Sequence, residues 1–210
     1  MKKIFLLFIL YSGMYFSQDY IDNGNVLMSE NKFSKAENVF REGLKQEPDN
    51  LIFKSQLALT LIEQDKNDQA EKIIVEVLKK DPSFPAALWY GGLNNFSKKK
   101  PDFRKALSYF EKLYKLIDKN SKQYSALNFY IGKSYQKLLY KEGLSYDEVD
   151  RMIEAYNKYV ESEPDAENII NVKSFVERIQ NNRPGRNVEK WVITTDPNVV
   201  EEIKKELNGK

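Results

Sequence analysis

Two stretches decide the fold: FSKAENVFREGLKQEPDN, from Phe33 to Asn50, and NDQAEKIIVEVLKKDPSF, from Asn67 to Phe84. Each carries an Ala, a bulky apolar residue four positions later, a Leu four beyond that and a Pro four beyond that. Ala36 and Ala70 lie 34 residues apart, and so do Leu44 and Leu78, and Pro48 and Pro82. Within the first stretch Ala36, Val39, Phe40, Gly43 and Leu44 fall on one helical face. Ala70, Ile73, Ile74, Val77 and Leu78 do the same in the second. The Ala allows another helix to approach closely, and the bulky residue one turn later fills the space beside it. Pro cannot continue the helix and marks its end.

Counting back twelve residues from each Ala reaches Gly24 and Ala58, both small residues within a preceding helical pattern. A small residue there lets two helices touch, so each unit reads as a pair of antiparallel helices. No alternating strand-like pattern is sustained between Tyr20 and Asn182.

This pattern resembles that of the tetratricopeptide repeat, W-x2-L-G-x2-Y…A-x3-F…P at 34 residues. The first unit matches at Tyr20, Gly24, Leu27, Ala36, Phe40 and Pro48, and the second at Leu57, Ala58, Leu61, Ala70, Ile74 and Pro82. The third starts near Pro85 and shows Gly92, Ala106, Phe110 and Leu113. It has two extra residues in KKKPD, and Asp118 stands in place of the final Pro. The fourth shows Ile131, Gly132, Tyr135, Met152, Tyr156 and Pro164. Eight residues are inserted between Gly132 and Met152, supplied by KEGLSYDE, and Ser145 and Glu148 form a capping box for the second helix. An unrelated bundle has no reason to repeat at 34. The resemblance implies an all-α, right-handed superhelical solenoid of about four helix-turn-helix hairpins. They span residues 18–164, in units near 18–50, 51–84, 85–120 and 125–164. Residues 165–182 follow as an amphipathic helix, with Ile169, Val172, Phe175, Val176 and Ile179 on one face. It reads as the cap that repeat arrays need over their last apolar surface. Residues 183–210 form a tail. Its KWVIT segment is extended and apolar, and a short helix follows, capped by Thr195 or Asp196 with Pro197 in its first turn.

The opening MKKIFLLFILYSGMYFS has two lysines, a mostly apolar run from Ile4 to Phe16 and then a small residue, Ser17. It reads as an export signal cleaved after Ser17, which places the mature chain in the periplasm or outside the cell. A retained membrane anchor is the other reading of this segment, although the run is short for a bilayer. No further stretch is long and apolar enough to span a membrane. Without Cys the chain has no disulfides and no lipid-acceptor thiol. Removing residues 1–17 takes away Lys2 and Lys3 and leaves 31 basic against 31 acidic residues. That balance argues against nucleic acid as a partner. The densest basic run, Lys98 to Lys105, reads as a solvated turn.

The chain has neither His nor Cys. This excludes His-dependent triads, thiol nucleophiles, and His- or Cys-ligated zinc and haem. No glycine-rich phosphate loop is present, and the carboxylates sit beside Lys and Arg as on solvated helix faces. The expectation is a non-enzymatic chain without cofactor, metal or catalytic site, whose function is surface recognition.

In the family it resembles, the first helices of successive units line a concave groove. The resemblance places Leu59, Ile62, Trp89, Leu93, Phe96, Phe129 and Lys133 in that lining, with Ile21, Asn25, Met28, Ile52, Ser55, Ala86, Ala126 and Gln136 around them. This lining is mainly apolar and aromatic. It lacks the Lys/Asn/Arg clamp by which some members hold a C-terminal carboxylate. It suits a protein or peptide segment with an apolar face. Two other readings stand beside this one: Trp89 and Phe129 as core between hairpins, and Trp191, Val192 and Ile193, with Val199, Val200 and Ile203, as a tail that fills the groove. The function implied is a scaffold or assembly factor of the cell envelope. The alternative is a structural subunit of an envelope complex that contacts its partners by the convex face or the tail.

Overall fold

The computed structural model describes residues 18–194. The leading segment read as a signal, and the helix expected after Asp196, lie outside the described residues. Among the described residues nine helices follow one another: α1 over residues 18–29, α2 (Phe33–Gln46), α3 (Leu51–Ile62), α4 (Asn67–Lys80), α5 (Pro85–Ser97), α6 (Phe103–Tyr114), α7 (Lys122–Lys141), α8 (Tyr146–Ser162) and α9 (Ile169–Asn182). Among the described residues no strand is present beyond one isolated antiparallel bridge, Leu144 to Trp191. The chain divides into two compact units between Pro101 and Asp102, within the KKKPD connection of the third repeat. No helix among the described residues is long and apolar enough to cross a membrane.

In the first unit the 34-residue period holds in the backbone as well as in the side chains. Asn31 and Asp65, 34 apart, both take the left-handed conformation, with φ of 57° and 58°. The amides of Lys32 and Lys66 then donate to the carbonyls of Leu27 and Leu61, at 2.8 and 2.9 Å. This is the same helix-ending turn twice, at residues whose short polar side chains tolerate positive φ. Ala36, Phe40 and Gly43 are buried on α2, and Ala70, Ile74 and Val77 on α4. A Cβ added to Gly24 would come within 2.3 Å of the Phe40 ring, so the small residue of α1 is the socket for the bulky residue of α2. Asn50 caps α3 by accepting from the amides of Ile52 and Phe53 at 2.9 and 3.1 Å.

Polar staples repeat in the same register. Glu37 of α2 accepts from Arg41 at 2.8 Å, from Lys66 at 2.7 Å and from Gln64 at 2.9 Å, which ties one hairpin to the next. Its counterpart 34 residues on, Glu71 of α4, accepts from Asn94 and Asn95 of α5 at 3.0 and 2.8 Å. Burial alone would raise the Glu37 carboxyl. The hydrogen bonds from Lys66, Arg41 and Gln64 outweigh it and hold the group at about 2, against an ordinary 4.5. The folded state therefore gains stability from this carboxylate above its ordinary value. It loses that stability as pH falls from about 4.5 toward about 2. Urea unfolding across that window should show a steep loss of stability in the native chain and a shallower one in Glu37→Gln. Parallel curves would contradict this assignment.

The second unit is built from α6, α7, α8 and α9, each packed on the next. Gly132 of α7 faces Tyr156 of α8, and an added Cβ would meet the ring at 2.7 Å. The socket of the first hairpin thus recurs in the fourth. The capping box forms as the sequence implies: the Ser145 hydroxyl accepts from the Glu148 amide at 3.3 Å, and Glu148 accepts from the Ser145 amide at 2.9 Å. The eight inserted residues do not enlarge the turn. Residues 142–145 connect α7 and α8, as many as the 63–66 connection between α3 and α4. The added length is helix instead, in an α7 of 20 residues and an α8 of 17, against 12 and 14 for α3 and α4. Helix satisfies its own backbone groups, whereas a loop that long would leave them to solvent. The missing proline at Asp118 is replaced by a side-chain turn. Asp118 accepts from the Asn120 amide at 3.0 Å, and Ser121 then caps α7.

Candidate functional site

Of the residues expected in a groove, Phe129 and Lys133 come together in one cleft of the second unit. The cleft has a volume of about 150 Å³ and is lined by Phe129, Lys133 and Gln136 from α7, Tyr156 from α8, Asn168 from the turn before α9, and Asn171, Val172 and Phe175 from α9. The spacing of 129, 133 and 136 places all three on one face of α7. Phe129 is half-buried, its ring 5.0 Å from that of Tyr159 and 5.7 Å from that of Tyr130. Phe175 meets Tyr156 edge to face at 5.8 Å. One wall of the cleft is therefore aromatic and aliphatic.

The other wall is polar, and its orientation is fixed from behind. The Tyr156 hydroxyl donates to Gln136 Oε1 at 2.7 Å, and the Tyr159 hydroxyl donates to Asn168 Oδ1 at 2.6 Å. Burial pushes the Tyr156 phenol well above the usual tyrosine range, so it stays a donor at any physiological pH. Lys133 is half-buried between these groups. Burial first, and the neighbouring Lys137 cation second, lower its ammonium below the usual lysine value.

The remaining groove candidates lie in the first unit. Leu59 and Ile62 stand one turn apart on α3, and Trp89, Leu93 and Phe96 follow one stripe of α5. All five are half-buried, and α3 packs against α5. Of the surrounding candidates, Ser55 is buried at 2% exposure and belongs to the interior. Asn25 is bound by Gln56, and Met28 by Thr60.

The described part of the tail does not line the cleft. Leu144 and Trp191 exchange both backbone hydrogen bonds at 2.8 Å, and the Ile193 amide donates to Leu139 at 3.2 Å. This holds the tail at the α7–α8 connection. Gly143, at φ 79°, gives it room, since a Cβ there would lie 3.1 Å from the Trp191 carbonyl. The Arg183 guanidinium lies 3.4 Å over the Tyr146 ring and donates to Asp150 at 2.5 Å. Val199, Val200 and Ile203 lie outside the described residues. Among the described residues no group of three acidic side chains is placed to hold a metal ion.

Sequence reasoning read α9 as a cap and missed it as a wall of the cleft. Asn168, Asn171, Val172 and Phe175 carry no repeat position, and only the packing of α9 brings them opposite α7. Residues 27–90 match the family model of the tetratricopeptide repeat. Solved structures carry the tetratricopeptide-type fold across most of the chain. MamA is similar with a TM-score of 0.61 at 18% identity, over 92% of this chain and 91% of that one. A tetratricopeptide repeat protein from Parabacteroides merdae ATCC 43184 is similar at 0.60 and 13% identity, over 80% of this chain and 61% of that one. YrrB, a TPR protein with an unusual peptide-binding site, is similar at 0.55 and 15% identity, over 75% of this chain and 74% of that one. At these identities the likeness is one of fold. No curated protein matches the chain by sequence.

Proposed function

We propose that the chain is an exported, non-enzymatic binding module that holds a segment of a protein partner, and that it acts as a scaffold or assembly factor of the cell envelope. The observation that carries this reading is the cleft between α7, α8 and α9. It is a concave site with an aromatic wall, and its polar groups are held in place by buried tyrosines. The absence of His and Cys from the sequence supports a role without catalysis. A peptide-binding site in YrrB, which shares the fold, supports a peptide-sized partner. Export rests on the sequence of residues 1–17.

A photo-reactive residue at Phe129 tests the site in living cells. Crosslinks to another envelope protein are the expected result. Crosslinks confined to residues 183–210 of the same chain would overturn the groove reading. Phe129→Ala should then weaken capture of the crosslinked partner about tenfold or more while leaving the helical circular dichroism unchanged. N-terminal sequencing of the secreted or periplasmic fraction should begin at Gln18. A chain that retains Met1 in the membrane fraction would refute cleavage.

A further inference from the structure

The polar wall of the cleft carries two amides whose oxygens are already engaged by tyrosine hydroxyls. Tyr156 donates to the oxygen of Gln136 and Tyr159 to that of Asn168, and the NH2 groups of both amides make no hydrogen bond among the described residues. Lys133 adds a cation, and among the described residues it has no ion-pair partner. The same holds for Lys137 and Lys141, which follow Lys133 at intervals of four along α7 and are exposed. The three lysines form a basic line that starts in the cleft and runs along the helix for about 12 Å, the reach of roughly four residues of extended chain. The cleft itself has room for about one side chain, and its apolar wall is Phe129, Val172 and Phe175.

We infer that the cleft takes an acidic segment of a partner protein: one apolar anchor residue seats against Phe129, Val172 and Phe175, an adjacent Asp or Glu carboxylate is received by Lys133, Gln136 and Asn168, and further carboxylates track Lys137 and Lys141. The inference rests on the binding function proposed above and names the chemistry of the partner. Charge complementarity selects the acidic class. A neutral apolar segment would leave the Lys133 ammonium half-buried without a counter-charge, and a basic one would add repulsion to that. Anchor and carboxylate together account for both walls. The basic line beyond the cleft calls for a segment that continues past it, which a single terminal carboxylate would not use. The described tail is docked at Leu144 and leaves this site open.

A random peptide library displayed on phage, selected against the full chain, tests the inference. Enriched peptides should carry Asp or Glu within a few residues of a Leu, Ile, Val or Phe. Their binding, measured by fluorescence anisotropy, should fall about tenfold or more in Lys133→Glu, survive in Lys133→Arg, and weaken as salt is raised. Tyr159→Phe, which frees the Asn168 amide to turn over, should cost a few-fold. Enriched peptides without acidic residues, or binding indifferent to Lys133→Glu, would overturn the acidic assignment and leave the binding module standing. If peptides bind only after residues 195–210 are deleted, the occupant is the chain's own end, and the partner assignment falls. Failure to enrich any peptide in either form would count against the binding function itself.

Discussion

Gly132→Val should unfold the second unit under conditions where the native chain is stable. A Cβ at this position would lie 2.7 Å from Cδ1 and 2.9 Å from Cγ of Tyr156, and nothing real sits so close. The atoms it meets belong to the root of the ring, which moves only if α8 moves. Tyr156 is 2% exposed, its ring packs on Phe175 and its hydroxyl is bonded to Gln136, so it has nowhere to go. Overpacking of this kind costs about 3 kcal/mol or more when no neighbour can yield. Replacing a mid-helix Gly by Val returns at most about 0.5 kcal/mol of helix propensity, so the clash dominates. Urea unfolding should show a correspondingly lower midpoint. Gly24→Ala is the control. Its Cβ would meet the tip of the Phe40 ring, at Cζ and Cε1, against α1, which is the outermost helix described, so the loss should be smaller. In Gly132→Val combined with Tyr156→Leu, the second change removes the clashing atoms. The double variant should be more stable than the sum of the two single losses predicts. Strict additivity would show that the two residues do not share a socket.

Phe175→Ala should release α9 and empty the cleft of one wall. Phe175 is 7% exposed and meets Tyr156 at 5.8 Å, and Val172, Val176 and Ile179 on the same face are buried with it. Truncating a buried Phe costs about 3–5 kcal/mol, and here the loss falls on the last helix described. Such a helix packs mainly on α8, so the change should appear as local opening before global unfolding. Amide exchange in residues 169–182 should accelerate strongly while α6 and α7 keep most of their protection. Partner capture should fall in the same variant, because Phe175 lines the site. Phe175→Leu keeps most of the volume and should keep most of both properties. Unchanged exchange across α9 in Phe175→Ala would mean that the helix is held by something other than this face.

The repeat was legible because its signals are close together in the chain. Ala36, Phe40 and Pro48, and their partners 34 residues on, lie within single helices and the turns that end them. Their spacing fixes helix phase, helix length and the position of each break. The sockets at Gly24 and Gly132 were legible for the same reason, as small residues placed opposite a bulky one by a hairpin of known length. The positive φ at Asn31 and Asp65 carried a signal that pattern reading passed over, namely a short polar residue at the same offset in both units.

The cleft was legible only in part. Phe129, Lys133 and Gln136 follow from helix phase alone, since they share a stripe of α7. Asn168, Val172 and Phe175 do not, because they sit more than thirty residues away, on or just before a helix outside the repeat pattern. The spacing places eight extra residues between Gly132 and Met152 but not their conformation, and the chain spends them on longer helices.

The period, the all-α class, the small-against-bulky packing rule and the lack of His and Cys chemistry are all readable from the residues alone. These are set by local geometry and by composition. Tertiary packing decides that α9 forms a wall of the cleft, that two tyrosine hydroxyls engage the oxygens of two cleft amides, and that the tail as far as Thr194 docks at Leu144. Each of these depends on which distant groups share a dry or half-dry space. Burial and hydrogen-bond direction there are set by the packing of whole helices, which no local spacing records.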